Sequence, residues 1–423
     1  MRHETPQEIA QLLARYAPKK LRSVLEPAAG SGALALPFIL RNTPRVIQLL
    51  DVDSRVINKL EASFGGNPSV AIGKHDFLVW SSRHGGGYNR RFDCIVMNPP
   101  FAGKAADQVG IAVAGSAHPR KASLEAAFVY RAAHLLRPGG RLLAILPASV
   151  ISGENTRWLR EFLMRSGKVR LVHELPDHTF AGVEARIYIV VYERGGVQGA
   201  LLSRNHRLHD PDELIINKSS LLRTARFDFR FYEAERWHTR IRSNRKLEWT
   251  SLGQAATVNR GSVESPIGRK RVLHTTNFLN PPTSKSKSAR RTDSIGLARQ
   301  GDILMKRVGR ECAQSPTVYK RDVPVACSDC ILIIRPSAHF KVTSLLFAVR
   351  VLLAWPTGAA LVEEGVGASY ISADRLRKLS VPINLADLHP QLFKRFSSAV
   401  ARSDWCGAQR VETRVRRMLD SRR

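Results

Sequence analysis

The first two hundred residues alternate between two hydrophobic periods. SVLEP (23–27), RVIQLLDVD (45–53), VAIGKHDF (70–77), FDCIVMN (92–98) and RLLAILPAS (141–149) are short apolar runs closed by Gly, Pro, Asn or Asp. Runs of that kind predict buried strands. SRVINKLEASF (54–64), ASLEAAFVYRAAHLL (122–136) and ENTRWLREFLMRS (154–166) instead repeat their apolar positions at helical spacing. AAGSGALALPFIL, after the first strand, reads as a glycine turn opening a helix, which Pro37 would kink. Such alternation predicts a parallel sheet with helical crossovers. VRLVHEL (169–175) and ARIYIVVYER (185–194) add an antiparallel hairpin at its edge, giving a seven-stranded mixed sheet. RHGGGYNRRFD (83–93) is a connecting loop.

RGGVQGA (194–200) breaks the pattern, and residues 200–245 are a mixed, basic connector packing on the first domain. From 246 the strands shorten and turns multiply. SLGQAATVNRGSV, GDILMKRVG and CILIIRP predict strands, SLLFAVRVLLAW (344–355) a helix, and 280–294 a long polar loop. At 423 residues the chain is too long for one ordinary domain. The expected division is 1–245 and 246–423, an α/β domain followed by a mixed α/β domain.

Charge adds the most to this picture. The chain carries 66 Lys and Arg against 36 Asp and Glu, a net +30. Residues 1–200 hold 26 cationic and 16 anionic side chains, and residues 201–423 hold 40 and 20. Excess cations release the counterions condensed on phosphates, so a polyanion is the expected partner; a solvated basic surface is the plainer alternative. No run of about 18 apolar residues predicts a membrane span, and the N-terminus lacks the apolar stretch of a signal peptide. Five cysteines, an odd number, suit a reducing cytoplasm. CSDC (327–330) has no second pair at zinc spacing, so no metal site is expected.

Candidate chemistry collects at the carboxyl ends of the predicted strands, where ligands bind in parallel sheets. In VLEPAAGSGAL (24–34), Gly30 and Gly32 allow close approach of backbone to ligand. Asp51 ends the second strand at the spacing of a ribose-binding carboxylate, or caps the next helix, a task open also to Asp53 or Ser54. Asp76 follows the third strand. The fourth ends in Asn98-Pro99-Pro100-Phe101, where prolines alone would stop a strand but an amide and an aromatic ring frame them.

This ordered set resembles the S-adenosylmethionine-dependent amino methyltransferases, and within them the γ-class adenine-N6 DNA methyltransferases of the two-domain TaqI type. ETPQEIAQLL (4–13), EPAAGSG, LLDVD, GKHDF, NPPF and FAGVEARIYIVVY resemble that family's segments in order. GDILMKRVGRE and VEEGVGASYISADRLRKLSVPI resemble its target-recognition domains and those of type I specificity subunits. The resemblance implies a Rossmann-like catalytic domain and a C-terminal DNA target-recognition domain. It implies cofactor contacts from Thr5, Glu26, Ala28, Gly30, Gly32, Asp51, Asp76 and Asn98, with Glu26 at the methionine end and Asp76 at the adenine. It places Asn98, Pro99, Phe101 and Phe180 at the reacting base. An aromatic amine is a poor nucleophile; two acceptors, the Asn98 side-chain carbonyl and the Pro99 backbone carbonyl, would hold both its hydrogens while Phe101 stacks on the ring. A base within a duplex must first be flipped out. Phe180 would line the adenine slot or cover the core, and Thr5 would touch the cofactor or cap the first helix. The related enzymes usually carry Tyr at the position of Phe101, and NPPF occurs also in RNA guanine-N2 methyltransferases. The expected protein is a cytoplasmic, monomeric DNA adenine-N6 methyltransferase acting on double-stranded DNA, with a cognate restriction endonuclease as a further partner. The alternatives are an RNA or protein-glutamine amino methyltransferase, or a DNA-binding specificity module with a vestigial catalytic half. GRKRV (268–272) and KSKSARR (285–291) are candidate phosphate contacts or solvated loops.

Overall fold

The structure, a computed structural model, describes every residue except 1–3, 42–43, 85–91, 102–107, 114–117, 181, 183–184, 263–271, 279–295, 310–311, 315, 354–355, 365–369 and 422–423. The expected loops at 83–93, 268–272, 280–294 and 285–291 therefore lie wholly or largely outside the described residues. The chain divides into two compact units, Met1–Phe229 and Arg230–Arg423. The division falls at the start of the helix Phe229–Arg242, ahead of the expected boundary at 245.

The first unit runs α1 (Gln7–Ala14), β1 (Ser23–Pro27), α2 (Leu36–Leu40), β2 (Val46–Asp51), α3 (Ser54–Phe64), β3 (Val70–Lys74), α4 (Phe77–His84) and β4 (Phe92–Met97). A small hairpin follows, β5 (Val109–Ile111) and β6 (Arg120–Ala122), then α5 (Leu124–Leu135), β7 (Leu136–Pro147), α6 (Ala148–Ser152) and α7 (Arg157–Ser166). β8 (Gly167–Glu174), β9 (Ile187–Arg194), β10 (Leu201–Arg204), β11 (Glu213–Ile216) and α8 (Lys218–Thr224) close it.

These strands form one sheet in the order β11-β10-β8-β9-β7-β4-β1-β2-β3. β3, β2, β1, β4 and β7 are parallel, and β9 is antiparallel to both β7 and β8. The seven strands expected from the sequence are all present. The sheet nonetheless has nine, because β10 pairs with β8 and β11 with β10. The hairpin 169–194 is thus interior, and residues 201–216 are sheet instead of connector. Leu201 and Ser203 are buried while Leu202 and Arg204 are only partly so, an alternation too short to stand out from a basic surround. Residues 225–228 are fastened just as firmly. Ser203 Oγ donates to the Phe227 carbonyl at 3.0 Å. Buried Arg160 donates to the carbonyls of Val150 and Gly153, each at 2.8 Å, and to that of Ala225. Satisfying these buried donors and acceptors holds the segment on the first unit.

The sheet is sheathed by helices, as its near-continuous apolar strands require. Val24, Cys94, Val96, Leu143, Ile145, Ile189 and Val191 face one cluster with Ile9, Leu13, Phe38 and Leu60 from the helices. Pro37 falls in the first turn of α2, which starts at Leu36, so it initiates the helix and does not kink it. Strand order reverses between β1 and β4, whose neighbours lie on opposite sides. The carboxyl ends of those two strands flank the crevice in which such sheets bind ligands.

In the second unit the expected strands do pair. Ala256–Arg260, Ile331–Pro336, Ile303–Lys306 and Thr317–Val318 form a four-stranded sheet in that order. The helix Val342–Leu353 is the expected one, and buried Arg350 on it forms an ion pair with buried Glu412, Nε to Oε1 at 2.5 Å. Two more helices, Pro390–Ala401 and Trp405–Ser421, pack as a hairpin and had no counterpart in the sequence reading. Cys327 of CSDC lies in the apolar cluster around Phe278 and Ile333.

Candidate active site

A cavity of about 530 Å³ opens over the carboxyl ends of β1 to β4. Of the sequence-derived candidates, Thr5, Glu26, Ala28, Gly30, Asp51, Asp76, Asn98, Pro99 and Phe101 all line it. Gly32 and Phe180 do not.

One end is built by the turn after β1. Ala28, Gly30 and Gly32 all take positive φ, at 59°, 56° and 74°. A Cβ on Gly30 would meet no atom within 4 Å, so glycine there leaves room for a ligand. A Cβ on Gly32 would come within 2.8 Å of Phe64 Cε2; this glycine serves the packing of α3. Buried Asp51 closes the turn, its Oδ2 accepting from the Gly30 amide at 3.1 Å and its Oδ1 from the Asp53 amide at 3.0 Å. The cap of α3 belongs to Asp53, which accepts from the Arg55 amide, so Asp51 is not needed for that. Asp76 does cap a helix: its Oδ1 accepts from the amides of Leu78 and Val79 at 2.8 and 3.1 Å, at the start of α4. Glu26 is buried, its Oε2 accepting from the Ala35 amide at 2.8 Å. Burial pushes its carboxyl up to about 8, against the pull of the Ala35 and Leu34 amides.

These groups suit S-adenosylmethionine. A buried carboxyl waits where a cationic amino-acid end would restore its ionised form. A second carboxylate stands at the end of β2, as a ribose diol requires, and Gly30 leaves the space between them open.

At the other end stand Asn98, Pro99 and Phe101. Asn98 Nδ2 donates to Thr5 Oγ1 at 3.2 Å. Its Oδ1 is shielded from solvent and has no hydrogen-bond partner among the described residues. Native structures rarely leave a buried acceptor so, and where they do a functional reason is worth seeking. Thr5 does not cap α1; the cap position is Pro6, with no side-chain bond. Phe101 is half-buried, packed on the apolar cluster while lining the cavity.

Phe180 is buried at 3% exposure among Leu175, Ile187 and the rest of that cluster. Of the two readings of this residue, the structure shows the one that covers the core; Phe180 does not line the cavity. Other residues supply aromatic surface that the sequence reading did not single out. Phe77 and Phe128 line the cavity with ring centroids 4.9 Å apart. Phe77 could have been found as the neighbour of Asp76; Phe128 is one apolar position among many on α5. His75 and Lys59 also line the cavity.

Strand order, glycine turn and crevice together define a Rossmann-like methyltransferase fold. Comparison with known proteins narrows the class. Residues 52–180 match the family model described as Eco57I restriction-modification methylase. The chain is similar to type II methyltransferase M.TthHB8I of Thermus thermophilus, 28% identical over 210 residues, covering 46% of this chain and 45% of that protein. It is 27% identical over 158 residues to "Defense against restriction protein B" of Escherichia phage P1, covering 37% of this chain and 6% of that one. Among solved structures, the type IIG restriction endonuclease BpuSI aligns over 98% of this chain and 64% of its own, with a TM-score of 0.46 and 14% identity. The chain spans less than half the length of either curated relative.

Proposed function

We propose that this chain is a DNA methyltransferase that moves a methyl group from S-adenosylmethionine to the N6 amino group of an adenine turned out of the duplex, in a restriction-modification setting. The observation that carries the reading is the amide of Asn98 at the cavity wall, one end tied to Thr5 and the other a buried acceptor without a partner. S-Adenosylmethionine, when bound, supplies an electrophilic methyl group on a sulfonium. Glu26, Gly30, Asp51 and Asp76 would hold it. The Asn98 and Pro99 carbonyls would take the two amino hydrogens, and Phe101 would carry the base. Two acceptors stabilise the charge that develops on the amine, and positioning supplies much of the rate.

The second unit, with its 35 Lys and Arg against 16 Asp and Glu in residues 230–423, is the candidate for DNA target recognition. A cognate endonuclease would complete the system, and the chain would act as a monomer in the cytoplasm. Among the described residues no helix is long and apolar enough to cross a membrane.

The test is incubation with labelled S-adenosylmethionine and duplex DNA of mixed sequence, followed by nucleoside analysis. N6-methyladenine is expected, and the label should fall at least 100-fold with Asn98→Ala. Label in guanine, in RNA but not DNA, or undiminished in the variant would overturn the reading.

A further inference from the structure

The helix Trp405–Ser421 presents two unlike faces. Ala408, Val415 and Leu419 lie in the core of the second unit, with Val411 packed against it. Arg416 is also turned inward, its guanidinium 4.2 Å from the centre of the Trp237 ring. Both acids within the helix are held by other elements. Glu412 is buried against Arg350. Asp420 accepts from Trp237 Nε1 at 2.8 Å and from Arg240 Nη2 at 2.5 Å.

Arg410, Arg414 and Arg417 remain, all exposed. Spaced by four and three residues, they share one stripe of the helix. Among the described residues no carboxylate pairs with any of them. The neighbouring helix Pro390–Ala401 carries exposed Lys394 and Arg395 and contains no acid at all. Like charges at these spacings destabilise a helix. An ordinary solvated face intersperses both signs. Here Glu412 is buried and Asp420 is tied to Trp237 and Arg240, so the fully exposed charges of the helix are all cations, a face complementary to a polyanion.

We infer that the outer face of the 405–421 helix is a docking stripe for the phosphate backbone of double-stranded DNA. The inference rests on the proposed DNA substrate for its choice of polyanion. Guanidinium groups suit phosphate oxygens because their donors are fixed in a planar fork. Charge alone carries no sequence information, so the stripe sets affinity and orientation, and base readout lies elsewhere.

The test is duplex binding by the full chain, without S-adenosylmethionine, at a series of salt concentrations. The triple variant Arg410→Gln, Arg414→Gln, Arg417→Gln removes three charges. Its plot of log affinity against log salt should be shallower by about 2.7, at roughly 0.9 per phosphate contact. The loss should be equal on DNA with and without the methylated sequence. The triple lysine variant keeps the charge and should keep the slope. A common thermal unfolding midpoint establishes that each variant folds. An unchanged slope, a loss confined to one sequence, or a stripe that binds polyglutamate but not DNA overturns the inference. Methylation of DNA together with an unchanged slope removes the stripe and leaves the proposed function standing. The predicted slope change without methyl transfer to DNA does the reverse.

Discussion

The two ends of the Asn98 amide have different surroundings: a threonine hydroxyl on one side and, among the described residues, no partner on the other. The family resemblance implies a cofactor contact for Thr5; in the structure Thr5 lines the cavity and its hydroxyl accepts from Asn98. Thr5→Val keeps the shape and removes the hydroxyl. It should lower methyl transfer about tenfold while leaving affinity for S-adenosylmethionine, measured by calorimetry, within a factor of two; Thr5→Ser should restore the rate. Glu26 offers a pH test. Its folded value, about 8, lies above the ordinary 4.5, so the folded protein retains a proton that the unfolded chain has lost. Stability from this group therefore falls as pH rises from about 4.5 to 8. Glu26→Gln should equal the wild type below about pH 4 and exceed it at pH 9 in urea unfolding. A cationic ligand favours the ionised carboxylate, so S-adenosylmethionine affinity should climb by up to tenfold per pH unit until about pH 8, and the Gln variant should flatten that rise.

Among the elements, the strand ends were readable and the edges were not. β4 was legible as an apolar run closed by NPPF because both signals are local. β10 and β11 are four residues each, and what makes them strands is the free edge of β8, a partner that no local pattern announces. Phe180 shows the same limit. An aromatic residue at a turn can face a cavity or a core, and only the packed positions of Leu175 and Ile187 decide for the core. Phe180→Ala should accordingly cost about 3–5 kcal/mol of stability, as buried aromatic truncations do, and lower activity only in step with the folded fraction. In the second unit, Glu412→Ala would leave the Arg350 charge buried and uncompensated, a loss of about 3–5 kcal/mol by chemical denaturation.

For the molecule as a whole, charge and division of labour come together. Residues 1–229 hold 31 Lys and Arg against 20 Asp and Glu, so the first unit is the less basic. It contains every residue of the cavity. If six or more phosphates are contacted, raising salt from 50 to 200 mM should weaken duplex binding by roughly a thousandfold or more. Filter binding across that range measures it.

The sequence by itself determined seven strands of the main sheet in their chain order, the glycine turn after the first of them, and the identity of nine of the residues that line the cavity. These are legible because periodicity, positive φ and strand-end position are set by near neighbours in the chain. The tertiary structure decided the partner of Thr5, the burial of Phe180, the two added strands and the earlier boundary between units. Each depends on which distant surface is left to bury or which donor is left to satisfy, and that is settled only when the elements have packed.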